Sequence, residues 1–193
     1  MNNQWPKGLK EINAFYGNPS KKGQLDMDWY RANITKCPLP PAWEMVLAWD
    51  TSTRVARILV HARCVESLAR IFQRIWDNAR LIAKQQWAAP VMLLPGKELS
   101  EWWDVKTNEV LRAHGMNKFG GSFNFRPIRG KTSLSTHAYG CALDLDPEAN
   151  PLGAETGNMP EWVVKAFKVE GWTWGGDFKS RKDLQHFQAA GNY

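Results

Sequence analysis

Two histidines and two aspartates in the last third of the chain have the types and spacing for hydrolytic chemistry. His137 and Asp144 lie in Ser135-Thr136-His137-Ala138-Tyr139-Gly140-Cys141-Ala142-Leu143-Asp144-Leu145-Asp146-Pro147, and His186 lies in Asp183-Leu184-Gln185-His186-Phe187. Two imidazoles and a carboxylate make three protein ligands. That number leaves the fourth position of a catalytic zinc open for the water to be activated. A second carboxylate, Asp183, stands three residues before His186.

The spacing constrains the backbone. His137 and Asp144 are seven residues apart, an odd step that would aim them at opposite faces of one unbroken strand. The chain must therefore bend between them. Tyr139-Gly140 is the expected place, because glycine tolerates backbone angles that other residues avoid. After the bend, residues 141–145 read as a short strand presenting Asp144. Asp183 and His186 cannot share a face of a regular strand either, which predicts Asp183 at a loop end and His186 at the start of a strand. Asp146 is the alternative carboxylate, but Asp146-Pro147 reads as the turn that ends the strand. Cys141 reads as a small core residue, and His61 and His114 as structural histidines.

At these residues the sequence resembles the peptidoglycan metallopeptidases of the D-alanyl-D-alanine carboxypeptidase group, which includes several phage endolysins. The family pattern, Ser-x-His-x-x-Gly-x-Ala-x-Asp followed by acid-x-x-His, stands complete as Ser135, His137, Gly140, Ala142, Asp144, Asp183 and His186. Trp174-Gly175-Gly176-Asp177-Phe178 resembles the family's Trp-Gly-Gly segment, and Gly121-Ser122-Phe123-Asn124-Phe125-Arg126-Pro127 an upstream element. The resemblance is strong over residues 119–188 and weak before them. It implies that His137, Asp144 and His186 hold Zn2+ and that Asp183 is the general base. It further implies that Arg126 contacts substrate, with Arg129 as the alternative, and that Ser135 hydrogen-bonds near His137. Trp174 is expected to line the substrate groove. Many members carry Glu at the acid position. Asp183 instead matches the L-alanyl-D-glutamate endopeptidases, so the resemblance favours that bond of the peptide stem over D-Ala-D-Ala. A non-catalytic zinc-containing module, as in Hedgehog signalling domains, is the contrasting reading, and an intact acid at Asp183 argues against it.

Composition fits a compact enzyme. The chain has 193 residues, 44% of them hydrophobic and eleven of them Trp, enough for one domain with a real core. A formal net charge of +6 implies an anionic partner. Nucleic acid is not expected, because there is no Gly-rich phosphate loop, helix-turn-helix signature or zinc-finger spacing; the anionic bacterial wall fits equally well. Three widely spaced cysteines argue against a disulfide framework. The N-terminus has no apolar stretch of signal-peptide length and no transmembrane segment is evident. The expectation is therefore synthesis in a bacterial host cytoplasm and action on the wall after release by a holin or lysis, as a monomeric phage or prophage enzyme.

The elements that must position the site follow from periodicity and punctuation. Residues 1–50, broken by Pro and Gly, read as a wrapping arm with short elements near 9–15 and 43–49; 119–188 form the zinc-site core of a single catalytic domain, 1–193. Residues 54–60 read as a strand. Val65, Leu68, Ile71, Phe72, Ile75, Trp76, Ala79 and Ile82 recur at helical spacing and predict one helix over about 61–86. A second helix spans 97–114, stopped by Gly115, and a third spans 161–170, opened by Pro160 and stopped by Gly171. Phe119-Gly120-Gly121 is expected to lead into a strand carrying Arg126. The last strands are expected to hold Trp172–Trp174 and His186. The predicted arrangement is α+β, a small antiparallel sheet carrying the zinc site and flanked by helices.

Overall fold

The computed structural model describes residues 5–88 and 96–191. The elements run α1 (Gly8–Tyr16), β1 (Ser20–Lys21), β2 (Gln24–Leu25), α2 (Met27–Asn33), β3 (Ile34–Pro38), β4 (Val46–Leu47), β5 (Asp50–Arg54) and β6 (Arg57–His61). There follow α3 (Val65–Gln86), α4 (Gly96–Ala113), β7 (Lys118–Gly121), β8 (Ala142–Leu145), α5 (Glu161–Val169), β9 (Thr173–Trp174) and β10 (His186–Gln188). The arrangement is α+β. The main sheet has the order β5-β4-β7-β8-β10-β9, while β3 pairs with β6 and β1 with β2.

The long helix follows from its sequence. Leu68, Ile71, Phe72, Ile75, Trp76, Ala79 and Ala83 recur every three or four residues and are all buried, so one face of α3 meets α4, α5 and β3. Each such large side chain contributes about 1.5–3 kcal/mol through burial. Truncating Phe72 to Ala would cost about 3–5 kcal/mol. Buried residues from Trp5 to Ala190 form one continuous cluster. The N-terminal segment joins it at the end of the last strand: Gly8 N donates to Gly191 O (2.8 Å), Gly191 N to Pro6 O (2.9 Å) and the Tyr16 hydroxyl to Ala189 O (2.7 Å). Residues 1–4 of the arm, and 192–193 at the other end, lie outside the described residues.

The structure differs from the sequence expectations in several places, among them Trp172, which lies just before β9 rather than on it. The main sheet is mixed, because β4 runs parallel to β7 while its other neighbours are antiparallel. The strand expected over 54–60 is two strands in different sheets. Between them Val55 N donates to Met45 O and Ala56 O accepts from Leu39 N, carrying the chain from one sheet to the other. The long helix begins with a tighter 3-10 turn, Ala62–Cys64, where the His61 imidazole accepts from Arg63 N and stands in for a conventional cap. Finally, β7 ends at Gly121, so Arg126 is not on a strand; Pro127, which lacks an N–H, sits in an isolated bridge with Leu134.

Candidate metal centre

His137 is placed by a short 3-10 helix, Thr136–Tyr139, whose first free N–H groups need acceptors. The Ser135 hydroxyl accepts from His137 N at 3.3 Å. Ser135 thus acts on the backbone of His137 rather than on its ring. The turn ends at Gly140 with φ 68°, and a Cβ there would come within 2.6 Å of Ile34 Cδ1 and 2.8 Å of His61 N. Only glycine fits both the angle and the space. This is the bend that the seven-residue spacing requires. It delivers the chain into β8, where Asp144 lies directly opposite His186, the first residue of β10.

Three ligand atoms converge. His186 Nδ1 is 3.0 Å from Asp144 Oδ1, His137 Nε2 is 3.3 Å from the same oxygen, and the two ring nitrogens are 3.1 Å apart. A tetrahedral zinc with bonds of about 2.0–2.1 Å has ligand–ligand edges of about 3.3 Å, so the side chains fit the ion.

The outer nitrogens settle which protons are where. His137 Nδ1 is 2.6 Å from Ser122 O. A backbone carbonyl only accepts, so Nδ1 carries the hydrogen and Nε2 presents a lone pair. His186 Nε2 is 3.0 Å from Gln188 Oε1, also an acceptor, so Nδ1 of that ring presents a lone pair as well. Two lone pairs and a carboxylate oxygen at these separations repel one another unless a cation or a proton sits among them. Burial opposes charge on Asp144, yet the bonds and charges of His137 and His186 hold its carboxyl well below the usual range. Burial likewise disfavours charge on His186, and Asp144 outweighs it, raising that imidazole. No other group of three or more His, Cys, Asp or Glu among the described residues is arranged to hold a metal.

Asp183 lies in the loop before β10, as its spacing predicts. Its carbonyl accepts from His186 N (3.0 Å) and its N–H donates to Gly175 O (3.1 Å). A Cβ on Gly175 would overlap the Asp183 carbonyl oxygen, which accounts for the glycine after Trp174. Asp183 Oδ1 is buried without a hydrogen-bond partner. Burial raises the carboxyl above its ordinary value, with Asp144 adding to the rise and His186 opposing it. A buried carboxylate oxygen left unpaired is costly, which agrees in direction with the raised pKa of this carboxyl.

The remaining expected residues are placed as follows. Arg126 is exposed in the loop after β7; its carbonyl accepts from Ser135 N (3.0 Å), its guanidinium donates to Pro127 O (3.4 Å), and Asn124 N donates to His137 O (3.1 Å). Arg126 thus lies beside the segment that carries His137. Arg129 is exposed on the following turn. Trp174 is half-buried, its indole N–H bound to Leu184 O (2.8 Å), with Lys168 Nζ 5.8 Å from its ring centre. Asp146, the alternative carboxylate, is buried near Lys118 Nζ (3.8 Å) at φ 43° and does not join the three ligands. Its turn ends β8. Cys141 is buried, its thiol donating to Thr136 O, and all three cysteines are free. His61 donates from Nε2 to Tyr16 O, and burial pushes its pKa down to about 4. His114 donates to Val110 O at the end of α4. Neither histidine approaches the centre.

The sequence reading missed four contributors: the Ser122 carbonyl, Thr136, Gln188, and Phe178, whose ring centre is 6.1 Å from that of His186. Gln188 had a signal, since the second residue along a strand shares the face of His186. A backbone carbonyl such as that of Ser122 has none.

No helix among the described residues is long and apolar enough to cross a membrane. No solved structure matches the chain at a significant level. Residues 129–189, about a third of the chain, match the model of a D-alanyl-D-alanine carboxypeptidase family, a stretch that spans His137, Asp144, Asp183 and His186 and leaves Arg126 outside.

Proposed function

We propose that this protein is a zinc metallopeptidase that hydrolyses an amide bond in the peptide stem of peptidoglycan. One observation carries the reading. Two imidazole lone pairs and the Asp144 carboxylate meet at 3.0–3.3 Å, near the half-buried Asp183 carboxyl with its buried, unpartnered Oδ1, within the stretch similar to a D-alanyl-D-alanine carboxypeptidase family. The carboxylate and the two rings, each with its outer N–H tied down, are ready to hold zinc without reorganising. When bound, the ion lowers the pKa of its water to about 7 and polarises the substrate carbonyl.

Asp183 takes the proton of the attacking water and returns it to the leaving amine. Its burial serves this role, since a general base works best with its pKa moved toward the working pH. Arg126 supplies a guanidinium to a carboxylate of the stem or to the developing oxyanion, with Arg129 as the alternative. Trp174 offers its half-buried ring as a wall of the groove.

The bond is L-Ala-D-Glu, on the resemblance of the Asp183 form of the motif to endopeptidases of that specificity, and the setting is lysis by a phage or prophage enzyme. A D-Ala-D-Ala carboxypeptidase is the second reading, favoured by the description of the matching family. Mass spectrometry of muropeptides after digestion separates them. New amino termini on D-Glu support the endopeptidase, and release of only D-Ala or D-Ala-D-Ala supports the carboxypeptidase.

A further inference from the structure

Gln188 follows His186 by two positions on β10 and is buried on the same face. Its Nε2 donates to Ala190 O at 3.1 Å, and its Oε1 accepts from Thr136 Oγ1 at 3.1 Å and from His186 Nε2 at 3.0 Å. Ala190 O can only accept, so the amide nitrogen must face it and the amide oxygen must face His186. Both lone pairs of that oxygen are then filled. Thr136 immediately precedes His137, and Ala190 O also accepts from the Thr173 hydroxyl of β9 at 2.7 Å. One amide therefore joins the segment carrying the first imidazole to the strand carrying the second.

We propose that Gln188, held by Thr136 and Ala190, is a positioning residue that locks His186 in the tautomer whose Nδ1 faces the metal and fixes the separation of the two imidazoles. The proposal rests on the zinc-site reading above. A glutamine suits the task better than a charged acceptor, because an ionised carboxylate would face the Ala190 carbonyl without a hydrogen to give it. A leucine would leave His186 Nε2–H buried with no acceptor but the Thr136 hydroxyl 3.4 Å away. The ring would then be free to adopt the other tautomer, which points a hydrogen at the metal. Groups behind metal-bound histidines change metal affinity by about 10–100-fold.

The test is the zinc affinity of the full chain, measured by competition with a chromophoric chelator for wild type, Gln188→Leu, Gln188→Glu and Thr136→Val, with thermal melts of the metal-free proteins alongside. Gln188→Leu is expected to weaken zinc binding by about 10–100-fold. Gln188→Glu, which keeps an acceptor for His186 but loses the bond to Ala190, should recover most of that loss. Thr136→Val, which removes one hydroxyl, should weaken binding by about threefold to tenfold, and it keeps the test open if Gln188→Leu does not fold. Equal weakening in the Leu and Glu variants would mean that only the Ala190 bond matters and would overturn the positioning role. So would wild-type affinity in Gln188→Leu or Thr136→Val. A wild-type protein that takes up no zinc would overturn both this role and the site reading, whereas zinc-binding wild type with insensitive variants overturns Gln188 alone.

Discussion

Asp183→Asn separates what the site does from what the fold needs. The substitution keeps the shape of the side chain and removes its ability to take a proton. General-base contributions run to about 10²–10⁴-fold, or about 2.7–5.5 kcal/mol of transition-state stabilisation, and kcat should fall by that factor with zinc still bound. Stability should move the other way. Asp183 Oδ1 is buried without a partner and burial raises its pKa. A carboxyl with a folded pKa above its unfolded value opposes folding increasingly as pH rises from the unfolded to the folded value, and fully above it, as at pH 7. Leaving a buried polar group unsatisfied costs about 1–3 kcal/mol, so relieving the charge should hold or raise Tm at pH 7, by about 2–4 °C for each kcal/mol recovered in a chain of this size. The assay pairs kcat on a defined stem peptide with a thermal melt and metal analysis. The acid limb of the wild-type kcat/KM profile should vanish from the residual activity of the variant. Near-normal turnover with zinc bound would refute the base. A Tm lower by several degrees would refute the claim that the buried charge is held at a cost to the fold.

Gly175→Ala should abolish most activity while zinc stays bound, because the new methyl group overlaps the Asp183 carbonyl and must displace that residue; metal analysis beside turnover checks it. Arg126→Ala should lower kcat/KM by about 10²–10³-fold if the guanidinium meets the oxyanion, with unchanged zinc content. The same loss in Arg129→Ala instead would move the role. In the metal-free protein, Asp144 raises the pKa of His186 despite burial. A raised histidine stabilises the fold below its unfolded value of about 6.5, and that contribution is lost as pH rises through the folded pKa. Chelated protein should therefore lose stability on the alkaline side of about pH 6.5, and zinc should restore it, by about 2.7 kcal/mol at a hundred times Kd. Melts between pH 6 and 9 with and without zinc read both effects.

The site was legible where chemistry and backbone geometry leave a mark on residue types. The odd spacing of His137 and Asp144 forced a bend, and Gly140 at φ 68° makes it. Asp183 and His186 fall at a loop end and a strand start for the same reason. Helical periodicity located α3, and Gly115 and Gly171 closed their helices with positive φ. What escaped was set by partners distant in sequence. Nothing local tells that β4 pairs parallel to β7, or that 54–60 crosses between sheets at Val55-Ala56. Asp26, which caps α2 through Asp28 N and Trp29 N, lies in a segment where the apolar pattern is too short to announce a helix. The orientation of His137 depends on the carbonyl of Ser122, and a carbonyl is common to every residue.

The most direct test of the central claim is hydrolysis of a purified stem peptide by the chain stripped of metal and then reconstituted with one equivalent of zinc, followed by mass spectrometry. The stripped protein should cleave nothing, the reconstituted protein should cleave between L-Ala and D-Glu, and His186→Ala should neither retain zinc nor cleave. Full activity in the stripped protein, or zinc-loaded protein that leaves every amide bond of the stem intact, would contradict that claim.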